Sequence, residues 1–439
     1  MKKFFVSVGL IAAGTASLQG AYAPDWNSTE ASMWRVSGTL RGFYDDNYET
    51  APAGAKQGSF GFEVSPQLEL NVPLQQTELG VRYTYGLYYY QKREDLGENP
   101  IDQTHQFDLW VDHAFTERWQ GKVQDSFVMG QEPELINGGT LHRTSGDNIS
   151  NSGTLTLNTI WTRLFSTALN YRNTIIDYQN HGATDADVLP GGRGASLAGE
   201  LNRIDQSVSL DLQWLVAPET TAFVGGSLEW VNYTADEPIA PDYYASLRDP
   251  TAPRTYLNSD ARDNRSYYGY VGVQRSVLAN LSLTAKGGIQ YTENYNDPSD
   301  STSLNPYADL SLIYTYLPGS YAQIGFTQSQ NATDQVSPDP ATGSFALDQE
   351  SSTVYGSINH QLTSKLLGTV IGRWQHSIYN QGLYNNQADD YYSLGANLSY
   401  SFNKHLSAEA GYNFDDLVSK IPGNGYTRNR VYLGVTAAY

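Results

Sequence analysis

Apolar and polar residues alternate along this chain with a period of two from residue 33 onward. In the segment that ends at residue 439, every second position is apolar: Val431, Leu433, Val435, Ala437 and Tyr439. The segment from Ser207 to Trp214 repeats the pattern at Val208, Leu210, Leu212 and Trp214. Successive side chains of a β-strand point to opposite faces, so this period predicts strands with one apolar and one polar face. The same alternation also fits a soluble antiparallel sheet with one wet face.

The lengths of the connections separate these two alternatives. Eighteen alternating segments are joined in turn by tight turns, such as residues 116–118, and by long polar loops, such as residues 235–262. A soluble sandwich has no reason for this regularity, whereas outer-membrane barrels have short periplasmic turns and long external loops. The sequence therefore predicts an all-β fold, a transmembrane antiparallel β-barrel of about 18 strands, with 16 strands as the alternative count.

The N-terminus has the pattern of a signal peptide. Lys2 and Lys3 precede an apolar stretch, and Ala21-Tyr22-Ala23 has the small-x-small form of a cleavage site. Pro24 would follow the cut, and because proline resists cleavage there, the cut can shift by a few residues. The predicted organisation is a signal peptide at 1–23, a short periplasmic segment at 24–32 and a single barrel at 33–439, located in the cell outer membrane.

Composition narrows the function classes. The chain has 439 residues, no cysteine, and 27 Lys and Arg against 46 Asp and Glu, a formal charge of -19. The absence of cysteine excludes a disulfide scaffold and a Cys-ligated zinc site. The excess of acidic residues argues against a nucleic-acid partner, which needs clustered basic residues. A mean hydropathy of -0.46 excludes a bundle of membrane helices, but it fits strands that alternate between lipid and lumen.

The polar strand faces would line the barrel interior if the apolar faces contact the outer-membrane lipid. The ionisable residues predicted to line a pore are Arg35, Arg41, Glu63, Glu69, Arg82, Asp108, Asp112, Arg172, Asp205, Asp211, Glu229, Lys286, Arg373, Glu409 and Arg430. Their charges nearly cancel, so most of the surplus acidity is expected in the loops, turns and strand ends. Because unpaired charges are costly in a dry interior, we expect a water-filled lumen. A lumen plugged by structural ion pairs is the alternative.

The third long loop, residues 131–150, contains apolar residues that a fully solvated loop does not need. In general porins the third external loop folds inward and narrows the channel. We therefore expect a constriction formed by Glu132, Glu134, His142, Arg143 and Asp147. An external lid is the alternative interpretation of the same loop.

No pattern of catalytic residues stands out. The seven His are dispersed, and no HExxH or other metal-site spacing occurs among them. There is no G-x-S-x-G elbow, although Ser-His-Asp triads assemble in space and need no fixed spacing. The Gly-rich run at 189–196 lacks the G-K-[S/T] ending of a phosphate loop. The sequence therefore predicts no enzyme, no metal and no cofactor.

Two stretches resemble known outer-membrane proteins. Residues 104–135, THQFDLWVDHAFTERWQGKVQDSFVMGQEPEL, are similar to the "putative β-barrel porin 2" family in their strand, their "ERW" turn and their second strand ending in "QEPEL". The ending YTRNRVYLGVTAAY is similar to that family's as well. The alternation of Val431, Leu433, Val435 and the final Tyr439 resembles the signal that the barrel-assembly machinery recognises. The resemblance implies an outer-membrane barrel of a Gram-negative-type bacterium and supplies no substrate.

Three functions fit this pattern. The first is a porin-like channel for the passive diffusion of small hydrophilic solutes. The second is a barrel dedicated to a system such as polysaccharide export, and the third is a plugged barrel with a structural or adhesive role. Outer-membrane lipid and the barrel-assembly machinery are the expected partners. A homotrimer is expected only by analogy with porins of this size.

Overall fold

Eighteen strands of the computed structural model form one antiparallel sheet. The structure describes residues 33–130, 136–137, 140–141, 146–190, 194–251 and 253–439. The strands are β1 (Trp34–Asp45), β2 (Ser59–Pro73), β3 (Thr77–Tyr90), β4 (Ile101–Ala114), β5 (Trp119–Gly130), β6 (Asn148–Ile160), β7 (Phe165–Tyr178), β8 (Arg203–Ala217), β9 (Thr220–Tyr233), β10 (Asn264–Leu278), β11 (Leu281–Glu293), β12 (Thr302–Leu317), β13 (Ser320–Ala332), β14 (Asp348–Thr363), β15 (Leu366–Asn380), β16 (Ala388–Asn403), β17 (Leu406–Ser419) and β18 (Tyr426–Ala438).

The sheet closes on itself. β1 pairs with β2 on one side and with β18 on the other, in a register that runs from Ser37 opposite Ala438 to Asp45 opposite Arg430. Closure gives each strand a partner on both sides, which is the condition for strands to cross hydrocarbon. The predicted fold and its count of 18 strands are confirmed, and the alternative count of 16 is wrong.

The connections alternate in length as predicted. The short ones have two to four residues, from 218–219 to 115–118, and the long loops reach residues 234–263. We number the long loops in chain order and discuss loop 3 (131–147), loop 4 (179–202), loop 5 (234–263), loop 7 (333–347) and loop 8 (381–387).

The two faces of the sheet differ sharply. Outward positions are apolar and exposed, including Leu210 at 45%, Val271 at 61% and Leu433 at 69%. The alternate positions face inward, where Asp211 is 8% exposed and Arg430 is 6% exposed. In an antiparallel sheet, residues directly opposite one another share a face, so the strand register carries this assignment around the whole barrel.

Helices occur only as short pieces of the long loops within the described residues. They are α1 (Gln91–Leu96), α2 (Leu197–Leu201), α3 (Tyr243–Arg248) and a 3-10 turn (Ser259–Arg262). Ser196 and Asp242 cap α2 and α3 by accepting hydrogen bonds from backbone N–H groups of the first turn. In the described part of the chain, no helix is long and apolar enough to cross a membrane.

Candidate functional site

The inner wall of the barrel carries all of the residues predicted to line a pore. Strand register places each of them on the face opposite the exposed apolar side chains. Arg41, for example, lies opposite Glu63, and Arg82 lies opposite Asp108. Their role in conduction stays a prediction, but their common face is a property of the fold.

Arg41 links three strands where the barrel closes. Its guanidinium Nη1 lies 3.1 Å from the carboxylate of Glu63 on β2, and its Nε lies 2.5 Å from that of Glu409 on β17. To reach Glu409 the side chain crosses β18 at Gly434, where a Cβ atom would lie 2.7 Å from the Arg41 Cγ. The glycine thus makes room for an ion pair between strands that are not neighbours.

A second ion-pair network lies at the external end of the same seam. Asp45, which is fully buried, accepts hydrogen bonds from Arg428 and Arg430 at 2.8 Å each. The Arg430 Nη2 also donates to the hydroxyl of Tyr90 at 3.2 Å. Breaking a buried pair leaves an uncompensated charge, so these contacts fix the register of β18 against β1.

Several inner-wall carboxylates are held by tyrosines instead of cations. The hydroxyl of Tyr270 donates to Asp211 at 2.7 Å, that of Tyr391 to Asp415 at 2.7 Å, and that of Tyr379 to Asp389 at 2.7 Å. Tyr268 makes the same contact with Glu229. Charge-assisted hydrogen bonds of this kind are stronger than neutral ones, so these tyrosines orient the carboxylates without neutralising them.

Four inner-wall cations lack such partners. Among the described residues, no carboxylate oxygen lies within 4.0 Å of the charged groups of Arg35, Arg172, Lys286 or Arg373. The Lys286 ammonium instead lies 3.8 Å from the centre of the Tyr270 ring, a cation–π contact. The inner wall therefore presents bound carboxylates and, at a few positions, cations whose donors are available to solutes.

Inward aromatic rings lie flat over glycines of the neighbouring strand. A Cβ atom on Gly225 would lie 2.3 Å from the Tyr270 ring, one on Gly325 would lie 2.2 Å from the Tyr355 ring, and one on Gly411 would lie 2.1 Å from the Tyr432 ring. Gly61 with Phe43, Gly80 with Trp110 and Gly272 with Phe223 repeat the arrangement. Each glycine lets a large ring rest against the wall, which accounts for part of the high Gly and Tyr content.

The external loops pack into a cap with its own apolar core. Loop 5 and loop 7 together bury Ile239, Ala240, Leu257, Ala261, Val336, Phe345 and Leu347, and Ala195 of loop 4 packs against them. Loop 8 joins through the backbone bond from Leu383 N–H to the Ser337 carbonyl, at 2.8 Å. Four loops thus form one structure at the external end.

Arg262 is the central polar residue of this cap. It is completely buried, and its Nη1 donates to the Glu200 carbonyl of loop 4 at 2.7 Å, while its Nη2 donates to the Thr333 carbonyl of loop 7. Its guanidinium also lies 4.6 Å from the Tyr233 ring centre. One side chain of loop 5 therefore ties together three loops.

Glu237 of loop 5 makes a second clamp on loop 4. Its carboxylate accepts hydrogen bonds from Ser196 Oγ at 2.5 Å and from the backbone N–H groups of Gly182 and Ala183 at 3.0 and 3.2 Å. These contacts hold the pKa of Glu237 below its usual value, although burial acts in the opposite direction. The clamp is therefore charged at neutral pH.

Two other cap carboxylates have raised pKa values. Burial raises the pKa of Glu200 to about 7; the nearby Arg262 opposes this shift, and Asp334 adds to it. Burial likewise raises the pKa of Asp263 to about 6. Both groups therefore titrate between weakly acidic and neutral pH.

The family of the chain is decided by the extent of its sequence match. The family described as "Putative beta-barrel porin 2" matches residues 33–439, which is the whole barrel. The chain belongs to this family. The resemblance proposed from the sequence is therefore confirmed, and with it a porin-like barrel of the outer membrane.

Matches to solved structures are of low similarity. A mutant of the ferric enterobactin receptor (PfeA) of Pseudomonas aeruginosa is 10% identical, with 92% of this chain and 80% of that chain covered and a TM-score of 0.44. OccAB4 of Acinetobacter baumannii is 12% identical, with 93% and 99% covered and a TM-score of 0.40. OccK9 (OpdG) of Pseudomonas aeruginosa is 12% identical, with 92% and 98% covered and a TM-score of 0.42. No curated protein matches the chain.

Sequence reasoning missed several charged residues of this porin-like wall. Register also places on the inner face Asp45, Glu78, Asp102, Lys122, Arg203, Asp309, Asp389, Asp415 and Arg428. Six of these are acidic and three are basic, so the wall is slightly more acidic than the predicted set alone. Most lie at strand ends, where the alternation of apolar residues fades into loop sequence, but Asp309 fits the period of its strand and was detectable.

The predicted constriction falls largely outside the described residues. Glu132, Glu134, His142 and Arg143 are not among them, and Asp147, which is described, is exposed at the end of loop 3. The cap of loops 4, 5, 7 and 8 was not predicted. Its signal was present, because Ile239, Leu257, Val336 and Phe345 are apolar residues in long loops.

Proposed function

We propose that this protein is a porin-like channel through which small hydrophilic solutes diffuse passively across the outer membrane. The observation that carries the proposal is the inner wall, where ionised side chains follow one another around a closed barrel of 18 strands. Charged groups are costly in a dry interior, and a barrel of this size is wide enough to hold water. Membership of a porin-like family supports the same conclusion.

The proposed mechanism is sieving by width together with orientation by charge. Aromatic rings that pack over glycines, such as Tyr270 over Gly225, project less into the lumen and so leave it wider. Wall carboxylates and cations then interact with polar solutes that enter from the external end. Selectivity in such a pore depends on its width and on the charges that line it.

A plugged barrel with a structural role is the second candidate. The apolar core shared by loops 5 and 7 favours it, because loops that only surround an open mouth do not need one. If the barrel is a channel, the same cap narrows the entrance without closing it. Export of a polysaccharide has no specific support from the wall or the loops.

Ion conduction separates the two candidates. Purified barrel inserted in a planar bilayer should give discrete current steps in molar KCl, and the same detergent without protein is the blank. A correctly folded barrel that gives no current would remove the channel proposal and favour the plugged barrel. Neighbouring genes for polysaccharide synthesis would favour the export function instead.

Loop 3 remains a proposed constriction. Deletion of residues 137–148 should raise single-channel conductance if this loop narrows the lumen. Unchanged conductance and ion selectivity would leave the loop as an external lid. Signal cleavage near residue 23, recognition of Val431, Leu433, Val435 and Tyr439 by the barrel-assembly machinery, and a homotrimer are also proposals.

A further inference from the structure

Arg373, in the middle of β15, is an inner-wall arginine without an acidic partner. Two other arginines at mid-wall show what a paired residue looks like: Arg41 contacts two carboxylates, and Arg82 lies 2.8 Å from Asp108. Within the described chain, no protein carboxylate lies within 4.0 Å of the Arg373 guanidinium, and no protein group accepts a hydrogen bond from it. Arg373 is partly exposed on the inner wall, and its guanidinium carries five N–H donors.

The neighbours of Arg373 explain why it is unpaired. Register places Tyr355 of β14 on one side and Ser393 of β16 on the other, and both are neutral. The next residue in that row, Asp415 of β17, lies opposite Ser393 and accepts a hydrogen bond from Tyr391 at 2.7 Å. A carboxylate is therefore two strands away, and it is already bound.

Two of the other three unpaired cations do not share this surrounding. Lys286 lies directly opposite Asp309, and Arg35 lies directly opposite Glu69. Arg172 has Ser207 beside it and Glu229 next in the same row. Lys286 and Arg35 thus have a carboxylate one strand away. Arg172 has Glu229 two strands away, and that carboxylate is bound by a tyrosine, so Arg172 is the residue most similar to Arg373.

The Tyr355 side chain leans away from Arg373. Its ring and hydroxyl lie over Gly325 of β13, where a Cβ atom would come within 2.2 Å of the ring and 2.4 Å of the hydroxyl. Because β13 and Arg373 are on opposite sides of β14, the tyrosine gives the guanidinium no partner. A half-buried guanidinium without a partner costs free energy, so a wall built only for stability would place an acidic residue opposite it.

We propose that Arg373 binds the carboxylate group of a small organic anion as it crosses the lumen. This inference rests on the proposed channel function. The planar guanidinium can donate two parallel hydrogen bonds to a carboxylate. Binding at this site is weak and reversible, so it raises the flux of carboxylates through the lumen relative to that of neutral solutes of the same size.

Lactate and lactamide form a matched pair of probes, because they differ by one charged group at nearly equal size. Uptake of each labelled probe into liposomes holding the folded barrel gives a lactate-to-lactamide ratio. Arg373→Gln should lower this ratio about tenfold, the loss expected for one charge-assisted contact, and leave lactamide uptake unchanged. Arg373→Lys keeps the charge and loses the bidentate geometry, so its lactate-to-lactamide ratio should lie between that of the wild type and that of Arg373→Gln.

Arg275→Gln is the control, because Arg275 is an exposed, outward-facing arginine of β10. It should leave the ratio at the wild-type value. The inference is overturned if Arg373→Gln and Arg373→Lys both keep the wild-type lactate-to-lactamide ratio. It is also overturned if, in the same liposome assay, the variants lower the uptake of inorganic phosphate and leave the uptake of lactate unchanged. If Arg373→Gln fails to fold, the lysine variant alone decides. If the wild-type barrel passes lactamide and ions but the lactate-to-lactamide ratio does not change in the Arg373 variants, the Arg373 site is refuted. The proposed channel function is not affected by that result.

Discussion

Replacing Gly225 with alanine should destabilise the barrel, although alanine is the smallest possible change. The new Cβ would lie 2.3 Å from both the Tyr270 ring and the Asp211 carboxylate, where ordinary contact begins at 3.4 Å. The ring must move by about 1 Å, and overpacking of this kind costs about 1–3 kcal/mol. If the movement also breaks the 2.7 Å bond from Tyr270 to Asp211, about 1.5–3 kcal/mol more is lost.

The assay is equilibrium unfolding in urea, followed by tryptophan fluorescence of the barrel in lipid vesicles. Gly287→Ala is the matched control, because Gly287 faces outward on β11 and a Cβ there meets nothing within 4 Å. It should be neutral or slightly stabilising. Tyr270→Ala should remove the clash with the ring and release the Asp211 carboxylate to turn away, so Gly225→Ala should cost less in that background than in the wild type. Equal unfolding midpoints for Gly225→Ala and Gly287→Ala would refute the reasoning.

Three further changes test other parts of the structure. Leu210→Arg places a charge on an outward position, so it should cost about 2–4 kcal/mol if Leu210 lies near the bilayer midplane; unchanged stability would mean that the assignment of faces is inverted. Acidification should tighten the cap: because the pKa of Glu200 is raised to about 7 from 4.5, its contribution is greatest below pH 4.5 and is lost as pH rises through 7, by up to about 3 kcal/mol. Hydrogen exchange of loops 4, 5 and 7 between pH 5 and pH 8 measures this, and Glu200→Gln should flatten the response. Arg262→Met should free loops 4 and 7, because two backbone carbonyls lose their donor, and proteolysis of those loops should become faster; wild-type proteolysis rates would argue against Arg262 as the link.

The sequence was sufficient for the barrel but not for the cap. Strand positions follow from a local period, so residues such as Leu210 and Asp211 could be assigned to opposite faces from their neighbours alone. Loop packing depends on contacts between segments far apart, such as Arg262 with Thr333, and no local pattern encodes them. The buried Arg262 stands among acidic loop residues in the sequence, so its burial is not evident from its sequence neighbours.

The partners of wall residues were hidden for the same reason. Arg41 and Glu409 were both predicted on the inner wall, but only the register through β18 shows that they meet. The pairing of Tyr270 with Gly225 also depends on which residues lie across from one another. The absence of an acidic partner at Arg373 also becomes visible only from the strand register, because the residues on the neighbouring strands must be known before an arginine can be called unpaired.

The seam between β1 and β18 determines when folding can finish. Its contacts join residues very distant in sequence, 368 positions for Arg41 with Glu409 and 385 for Arg430 with Asp45. Until β18 is in place, β1 and β17 each expose an unpaired edge that can join the edge of another chain. Contacts of such long range also slow folding. We therefore expect the yield of the folded barrel to depend on how quickly that last strand is added.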